Sequence, residues 1–319
     1  MGQKPSLGAA VSDAAVPTAR SYPGSRFAAY WLDRSFPWWS FLPAVMLMGV
    51  LTLYPIVNLI WMSLSTIEFV QGREIWAFTP GRNVDLLMSD RVLRHALVNT
   101  LIFVAFSVVA EMVLGLALAL LTGRLTRGMG LIRTVMILPI LVPPVAVGSM
   151  WKLMYNYDFG VFNQMAMAAG IEPINWLGST SLALISVIIV DVWHWTPFVF
   201  LILFAAVEGL PVDVLEAARV DGARGWQELR YIVLPLLRPA LAVALTFRSI
   251  LGFKVFDEVY LLTSGGPGTS TELISLHLYK VFFEQNQLGY GAMLSLAVIG
   301  AIAAFLLMSR PALTRSTSA

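Results

Sequence analysis

The 319-residue sequence has no cysteine, only three histidines and few charges. Without cysteine there is no disulfide framework, no thiolate metal site, no iron–sulfur cluster and no cysteine nucleophile. His95, His194 and His277 are scattered, with no second ligand at a useful spacing, so no metal site is expected. Charged residues make up 13%, and a net charge of +2 is too small and too dispersed to attract a nucleic acid. The strings His-Glu-x-x-His, Gly-x-Ser-x-Gly and Gly-x4-Gly-Lys-Ser/Thr do not occur. No enzyme chemistry is therefore predicted, and the chain is expected to bind neither ATP nor another cofactor. The first 35 residues lack an early apolar run with a small-residue cleavage site, so they read as a polar tail rather than a signal peptide.

What the chain does have is apolar surface. Hydrophobic residues reach 58% and the mean hydropathy is +0.75, against about 45–50% apolar residues in soluble domains. A water-soluble fold could not cover that surface, so an all-α membrane protein is predicted. A spanning helix takes about 20 mostly apolar residues, and six segments meet that length, at about 39–64, 97–121, 131–155, 182–207, 240–263 and 288–308. Tyr30, Trp31, Trp38 and Trp39 lead into the first span as an interfacial aromatic belt. With the N-terminus inside, thirteen lysines and arginines fall in inside segments and six in outside ones, which places both termini in the cytoplasm. The expected organisation is a cytoplasmic tail (1–38), a six-span domain (39–309) and a short cytoplasmic tail (310–319).

The segment 208–239 between spans four and five stands out. Pro211 sits where a helix can begin, Val212 to Val220 is good helix, and Asp221-Gly222 is a stop signal. A second amphipathic stretch follows from Trp226 to Val233, and Leu234-Pro235 is expected to turn the chain toward the membrane. Two short helices would then present a knob to a partner. Ala217 and Ala218 give a low surface for close approach, and Glu216 supplies a charge. A helix resting on lipid headgroups is the alternative reading.

Glu216-Ala217-Ala218, then Gly222, Ile232 and Leu234-Pro235 at their spacing, resemble the EAA loop of permease subunits of bacterial ABC importers. Asn99-Thr100, the prolines of span three, Trp193 with Pro197-Phe198, Phe256-Asp257, Tyr260, Thr263 and Gly265-Gly266-Pro267 resemble the carbohydrate-uptake branch of that family. The resemblance implies a permease in the bacterial inner membrane, paired with a second, similar permease. It also implies a dimeric ATPase that uses ATP and magnesium beneath the pair, and a periplasmic binding protein that delivers the solute. Glu216, Ala217, Ala218, Asp221, Gly222, Ile232, Leu234 and Pro235 would form the coupling element to that ATPase. The solute implied is a sugar or polyol; an anionic one, such as glycerol 3-phosphate or a sulfonated sugar, stays open because of Arg248 and Lys254. An ion-driven carrier would have no ATPase for such a loop to dock.

Ionisable residues inside spans are costly and are usually paired, water-facing or functional. Lys254 has Asp257 and Glu258 at i+3 and i+4, so this trio is expected to satisfy itself on one helix face. Arg248 points elsewhere. Counting about 1.5 Å per residue from the cytoplasmic ends puts Arg248 and Glu111 at similar depths, which predicts an ion pair that pins span five to span two and a transport defect rescued by reversing both charges. Asp191, Trp193 and Trp195, with Arg248, Lys254 and Asp257, are the solute-pathway candidates, because sugar sites combine aromatic faces with a few polar groups. Plain helix packing is the alternative for the tryptophans, and a hydrogen-bonded packing role for His194. The prolines of span three allow a bend, and the turn around Gly265–Gly268 is either a binding-protein contact or a simple loop.

Overall fold

The computed structural model describes residues 23–123 and 129–314. Lys4, Arg20, Arg124, Arg127 and Arg315, all used in the charge count, lie outside those residues.

The chain divides into two units, 1–58 and 59–319. The first is the greater part of helix α1 (Pro23–Ser63). Helix therefore begins within the expected tail, well before the apolar window Trp39–Ser63. From Trp39 to Asn58 nearly every side chain is exposed, on all faces, as suits a helix whose surroundings are themselves apolar.

The second unit opens with an element that an all-α reading leaves out. Strands β1 (Ser65–Val70) and β2 (Arg73–Phe78) form an antiparallel hairpin in which Val70 pairs with Arg73. Its two-residue turn puts Gln71 and Gly72 at φ +50° and +76°, the doubly left-handed arrangement that matches the twist of a tight hairpin. The buried amide of Asn83, on α2 (Pro80–Ser89), donates to the carbonyls of Ser63 and Ser65 and fixes the base of the hairpin.

Helices α3 (Arg91–Thr122) and α7 (Ala183–Glu208) form the most intimate pair. Glycine makes the approach possible: a Cβ on Gly115 would lie 2.8 Å from the Val199 side chain and 3.0 Å from the Phe200 amide nitrogen. Small residues allow this closeness where lipid provides no hydrophobic drive for helix association. Phe103, Val187 and Val259 lie in one core cluster along the bundle, and Ala119, Phe200 and Ala244 in the next.

The third span is broken, not merely bent. Helix α4 (Met129–Leu141) and helix α5 (Pro144–Met154) meet at 97°. Pro143 and Pro144 provide no backbone N–H, and Pro143 is extended at φ −58°, ψ 140°. Arg133, near the start of this pair, bonds Glu208 at the end of α7, whereas Tyr155, just past its end, donates to the Ser186 carbonyl near the start of α7. The pair thus meets α7 near both of its ends, and among the described residues five helices are long and apolar enough to cross a membrane, or six with the bent pair counted as one. The short helix α6 (Val161–Ala168) follows, its loop organised by buried Asn163, which bonds Tyr157, Ile174 and Trp176.

Helix α8 (Val212–Val220) leads to the single turn α9 (Trp226–Glu228), a π-helical turn (Leu229–Val233) and α10 (Leu234–Phe253). From Trp226 to Phe253 the helix is continuous. Leu234-Pro235 therefore does not turn the chain: proline is tolerated in a first turn, and the wider π turn precedes it. The fifth span also ends sooner than expected, at Phe253, and resumes as α11 (Asp257–Leu262). Then come α12 (Ile274–Tyr279), a second π turn (Lys280–Glu284) and α13 (Leu288–Thr314).

Candidate functional site

The loop 208–239 is built as a V, with α8 as one arm and α9 with its π turn as the other. Helix α8 ends on Asp221, Gly222 takes φ +87°, and the Ala223 amide donates back to the Ala218 carbonyl, a left-handed stop that glycine adopts at least cost. Arg219 on α8 bonds Glu228 on α9 at 3.2 Å and clips the arms together. Glu216, Ala217, Asp221 and Gly222 are exposed, as is Val220. Ala218 is not: it is buried. Its burial differs from the open surface expected at this position. Ile232, Leu234 and Pro235 are half-buried at the root, where the V becomes α10.

Inside the bundle, Arg248 meets Glu111, as their matched depths suggested, and a second acid as well. The guanidinium bonds both carboxylate oxygens of Glu111, by Nε to Oε2 and by Nη2 to Oε1 at 2.6 Å, and Nη2 also reaches Asp191 Oδ2 at 2.5 Å. All three side chains are at most 1% exposed. One cation therefore ties α3, α7 and α10 together, and a carboxylate placed at position 248 would still face Asp191. Reversing Arg248 and Glu111 together is thus not expected to rescue function. Trp195 lies against the same guanidinium, 5.1 Å from its ring centroid, so one face of this solute-pathway candidate is already occupied. Asp191 Oδ1 has no partner.

The trio on span five does not form. Lys254 caps the C-terminus of α10 and is exposed, Asp257 opens α11 and is half-buried, and Glu258 turns inward. Glu258 Oε1 lies 2.5 Å from His194 Nδ1, and His194 Nε2 is 3.2 Å from the Val142 carbonyl freed by the proline break. The two interruptions in the spans separate residues that one continuous helix would have stacked on a single face. The polar packing role expected for His194 is present, with a partner that sequence spacing does not indicate.

Two grooves remain. One, of about 640 Å³, is almost wholly apolar and includes Leu114, Pro139, Trp151 and Trp193 in its walls. The other, of about 310 Å³, holds Lys254 with Phe256, Ser275 and Tyr279. Beside it Phe256 stacks on Tyr260 at 5.4 Å and meets Tyr279 at 4.9 Å. Tyr279 joins this aromatic group although the sequence analysis did not single it out; the aromatic run Tyr279-x-x-Phe282-Phe283 was its signal.

The segment after α11 is held against α3 by hydrogen bonds. Asn99 donates to the carbonyls of Thr269 and Glu272, and Thr100 Oγ1 accepts from the Ile274 amide. His277 lies 2.8 Å from Asp90 and 3.8 Å from Glu272, and Lys280 bonds Glu272 at 2.7 Å. Burial alone would lower the His277 pKa, but Glu272 and Asp90 outweigh it and raise it above the usual 6.5. Burial likewise works to raise Asp90 and Glu272. Hydrogen bonds from Tyr290 and the Leu93 amide, with His277, hold Asp90 below its usual 3.8, and His277 and Lys280 hold Glu272 below 4.5.

Comparison with known proteins fits this architecture. Residues 111–310 match the model of the binding-protein-dependent transport system inner membrane component family. The chain is 35% identical to the trehalose/maltose transport system permease protein of Thermococcus litoralis over 83% of its length and 88% of that protein's. It is 34% identical to the trehalose transport system permease protein of Mycobacterium tuberculosis, over 88% of each, and 34% identical to the lactose transport system permease protein of Rhizobium radiobacter, over 82% and 88%. A solved bacterial ABC transporter involved in the import of the acidic polysaccharide alginate has a chain of the same fold, with a TM-score of 0.77 at 20% identity over 91% of this chain and 99% of that one. With a family model over most of its length and relatives of this similarity, the chain belongs to the binding-protein-dependent transport system inner membrane components, a family of multi-pass membrane proteins that serve transport rather than catalysis.

Proposed function

We propose that this chain is one of two permease subunits that together line the path of a sugar or polyol through a bacterial inner membrane. Both termini and the V of 208–239 face the cytoplasm, where the exposed side of α8 docks on a separate dimeric ATPase. A periplasmic binding protein delivers the solute to the opposite face. The observation that carries this reading is the V itself: Glu216, Ala217 and Gly222 are exposed at its tip, and its second arm runs without interruption into span five. A rigid connection of this kind passes a movement at the tip into the membrane. Relatives named for trehalose, maltose and lactose transport support a neutral sugar, as does the aromatic shelf of Phe256, Tyr260 and Tyr279, whose ring faces suit a sugar ring.

An anionic solute is the second reading, and the exposure of Lys254 is what favours it. Arg248 no longer does, because two carboxylates already occupy it. The test is to purify the tagged chain from its native membrane in mild detergent and identify what accompanies it. A second six-span permease and a nucleotide-binding ATPase are expected, and the ligand of the binding protein encoded with them names the solute. A chain that purifies alone, under conditions where ABC complexes survive, would overturn this reading in favour of an ion-driven carrier.

A further inference from the structure

Two spans of the bundle are interrupted, and His194 touches both interruptions. Its Nε2 lies 3.2 Å from the Val142 carbonyl at the α4–α5 break, and its Nδ1 lies 2.5 Å from Glu258 Oε1 just beyond the α10–α11 break. Histidine and glutamate are each 2% exposed, so the contact between them is closed to water, and the contact with the Val142 carbonyl is part-buried.

The hydrogen count follows from the chemistry of the partners. A backbone carbonyl only accepts, so Nε2 carries a hydrogen. At Nδ1 the partner is a carboxyl group. If Glu258 is ionised it also only accepts, and Nδ1 must carry a second hydrogen, making an imidazolium. If Nδ1 is bare, the carboxyl must supply an O–H. Both descriptions contain one proton more than a neutral imidazole beside a carboxylate.

We infer that His194 and Glu258 share one proton between Nδ1 and Oε1, that the pair is neutral overall, and that this proton joins the two broken spans. Without it, one of two contacts fails. Either the Nδ1 lone pair faces the carboxylate, or the imidazole takes its other tautomer and a bare Nε2 faces the Val142 carbonyl. His194 and Glu258 are thus positioning residues for both breaks.

The ionisable groups around the pair are set by the packing. Helix α3 contributes Glu111, α7 Asp191 and α10 Arg248, two carboxyl groups bonded to one guanidinium. On α11, Asp257 is half-buried beside Glu258. On α4, Arg133 pairs with Glu208; on α5, Lys152 is exposed; and Tyr155, at the end of α5, donates to the Ser186 carbonyl.

The proton count is tested on the full chain in lipid nanodiscs. Nitrogen-15 resonance of labelled histidine, assigned by comparison with His194→Gln, is read at neutral pH together with the infrared carboxylic-acid band. The expected result is either two protonated ring nitrogens on His194 or a carboxylic-acid band that Glu258→Gln abolishes. A singly protonated His194 with no such band overturns the inference. This arm is independent of any transport reading. A second arm rests on that reading and uses uptake by the assembled complex, normalised to the amount of assembly recovered. The amide of Glu258→Gln donates to Nδ1 without titrating, so its uptake should stay within about twofold of wild type while Glu258→Leu, which leaves Nδ1 unpaired, falls about tenfold or more. Wild-type uptake should decline as pH rises and the proton leaves, and Glu258→Gln should lack that decline. A Glu258→Gln protein as inactive as Glu258→Leu, or one that keeps the alkaline decline, would overturn the role given to the proton.

Discussion

Replacing Arg248 with methionine is the most direct test of what holds α3, α7 and α10 together. Methionine fills similar volume but removes all three hydrogen bonds to Glu111 and Asp191. Both acids are 0% exposed, so neither finds water. Breaking a buried ion pair by removing one partner costs about 3–5 kcal/mol, chiefly because the remaining charge is stranded. Two acids are stranded here, so the upper part of that range is expected for Arg248→Met, less whatever is relieved by the uptake of a proton. The loss of the guanidinium against Trp195 adds about 0.5–2 kcal/mol. Adding Glu111→Gln and Asp191→Asn to Arg248→Met removes the stranded charges, and the triple variant should recover at least half of the loss. Among single changes, Glu111→Gln should be more damaging than Asp191→Asn, because Glu111 accepts two hydrogen bonds from the arginine and Asp191 one. The assay is denaturant unfolding of the purified chain, followed by its helical circular dichroism signal. If Arg248→Met unfolds within about 0.5 kcal/mol of wild type, the size expected of an unremarkable surface change, the cluster does not hold the bundle and the reasoning fails.

Three further outcomes can be checked. Since the chain has no cysteine, single cysteines can be placed in the loop without background: Ala217→Cys should crosslink to the ATPase, whereas Ala218→Cys, at a buried position, should not, and equal yields would refute the orientation of α8. Gly115→Val should destabilise the α3–α7 pair by about 1–3 kcal/mol, as overpacking does, because Val199 and the Phe200 backbone occupy the space; an unchanged melting temperature would count against that close packing. The Asp90–His277–Glu272 group has opposite signs at its two limits. The raised value of His277 gives stability that is present below pH 6.5 and is lost as pH rises through the folded value. The lowered acids give stability present above 3.8 and 4.5 that is lost as pH falls through their folded values. Melting temperature should therefore decline above pH 6.5 in wild type and lack that component in His277→Gln; superimposable profiles would refute the assignment.

Much of this architecture was legible from local chemistry. Long apolar runs marked the spans because a bilayer tolerates no unsatisfied backbone and so demands continuous helix. The V of 208–239 was readable because proline opens helices and glycine closes them, and Arg248 found Glu111 because helical rise converts residue count into depth. Chance placement in the tertiary structure decided nothing there; spacing did. The breaks were another matter. Sequence allowed a bend at Pro143-Pro144, but its depth of 97° and the stop at Phe253 depend on what receives the freed groups. His194 takes the Val142 carbonyl and Glu258 leaves the face it would have shared with Lys254. Asp191 joined the arginine because the packing brings α7 beside α10. Periodicity along one helix states which side chains share a face, and it is silent about which neighbour that face will meet. The sequence by itself determined the membrane class, the long apolar helices and the stop of α8 at Gly222; only the tertiary structure decided where the third and fifth spans break and the partners of the buried charges, because a charge removed from water is satisfied by whichever opposite group the packing brings within a few ångströms.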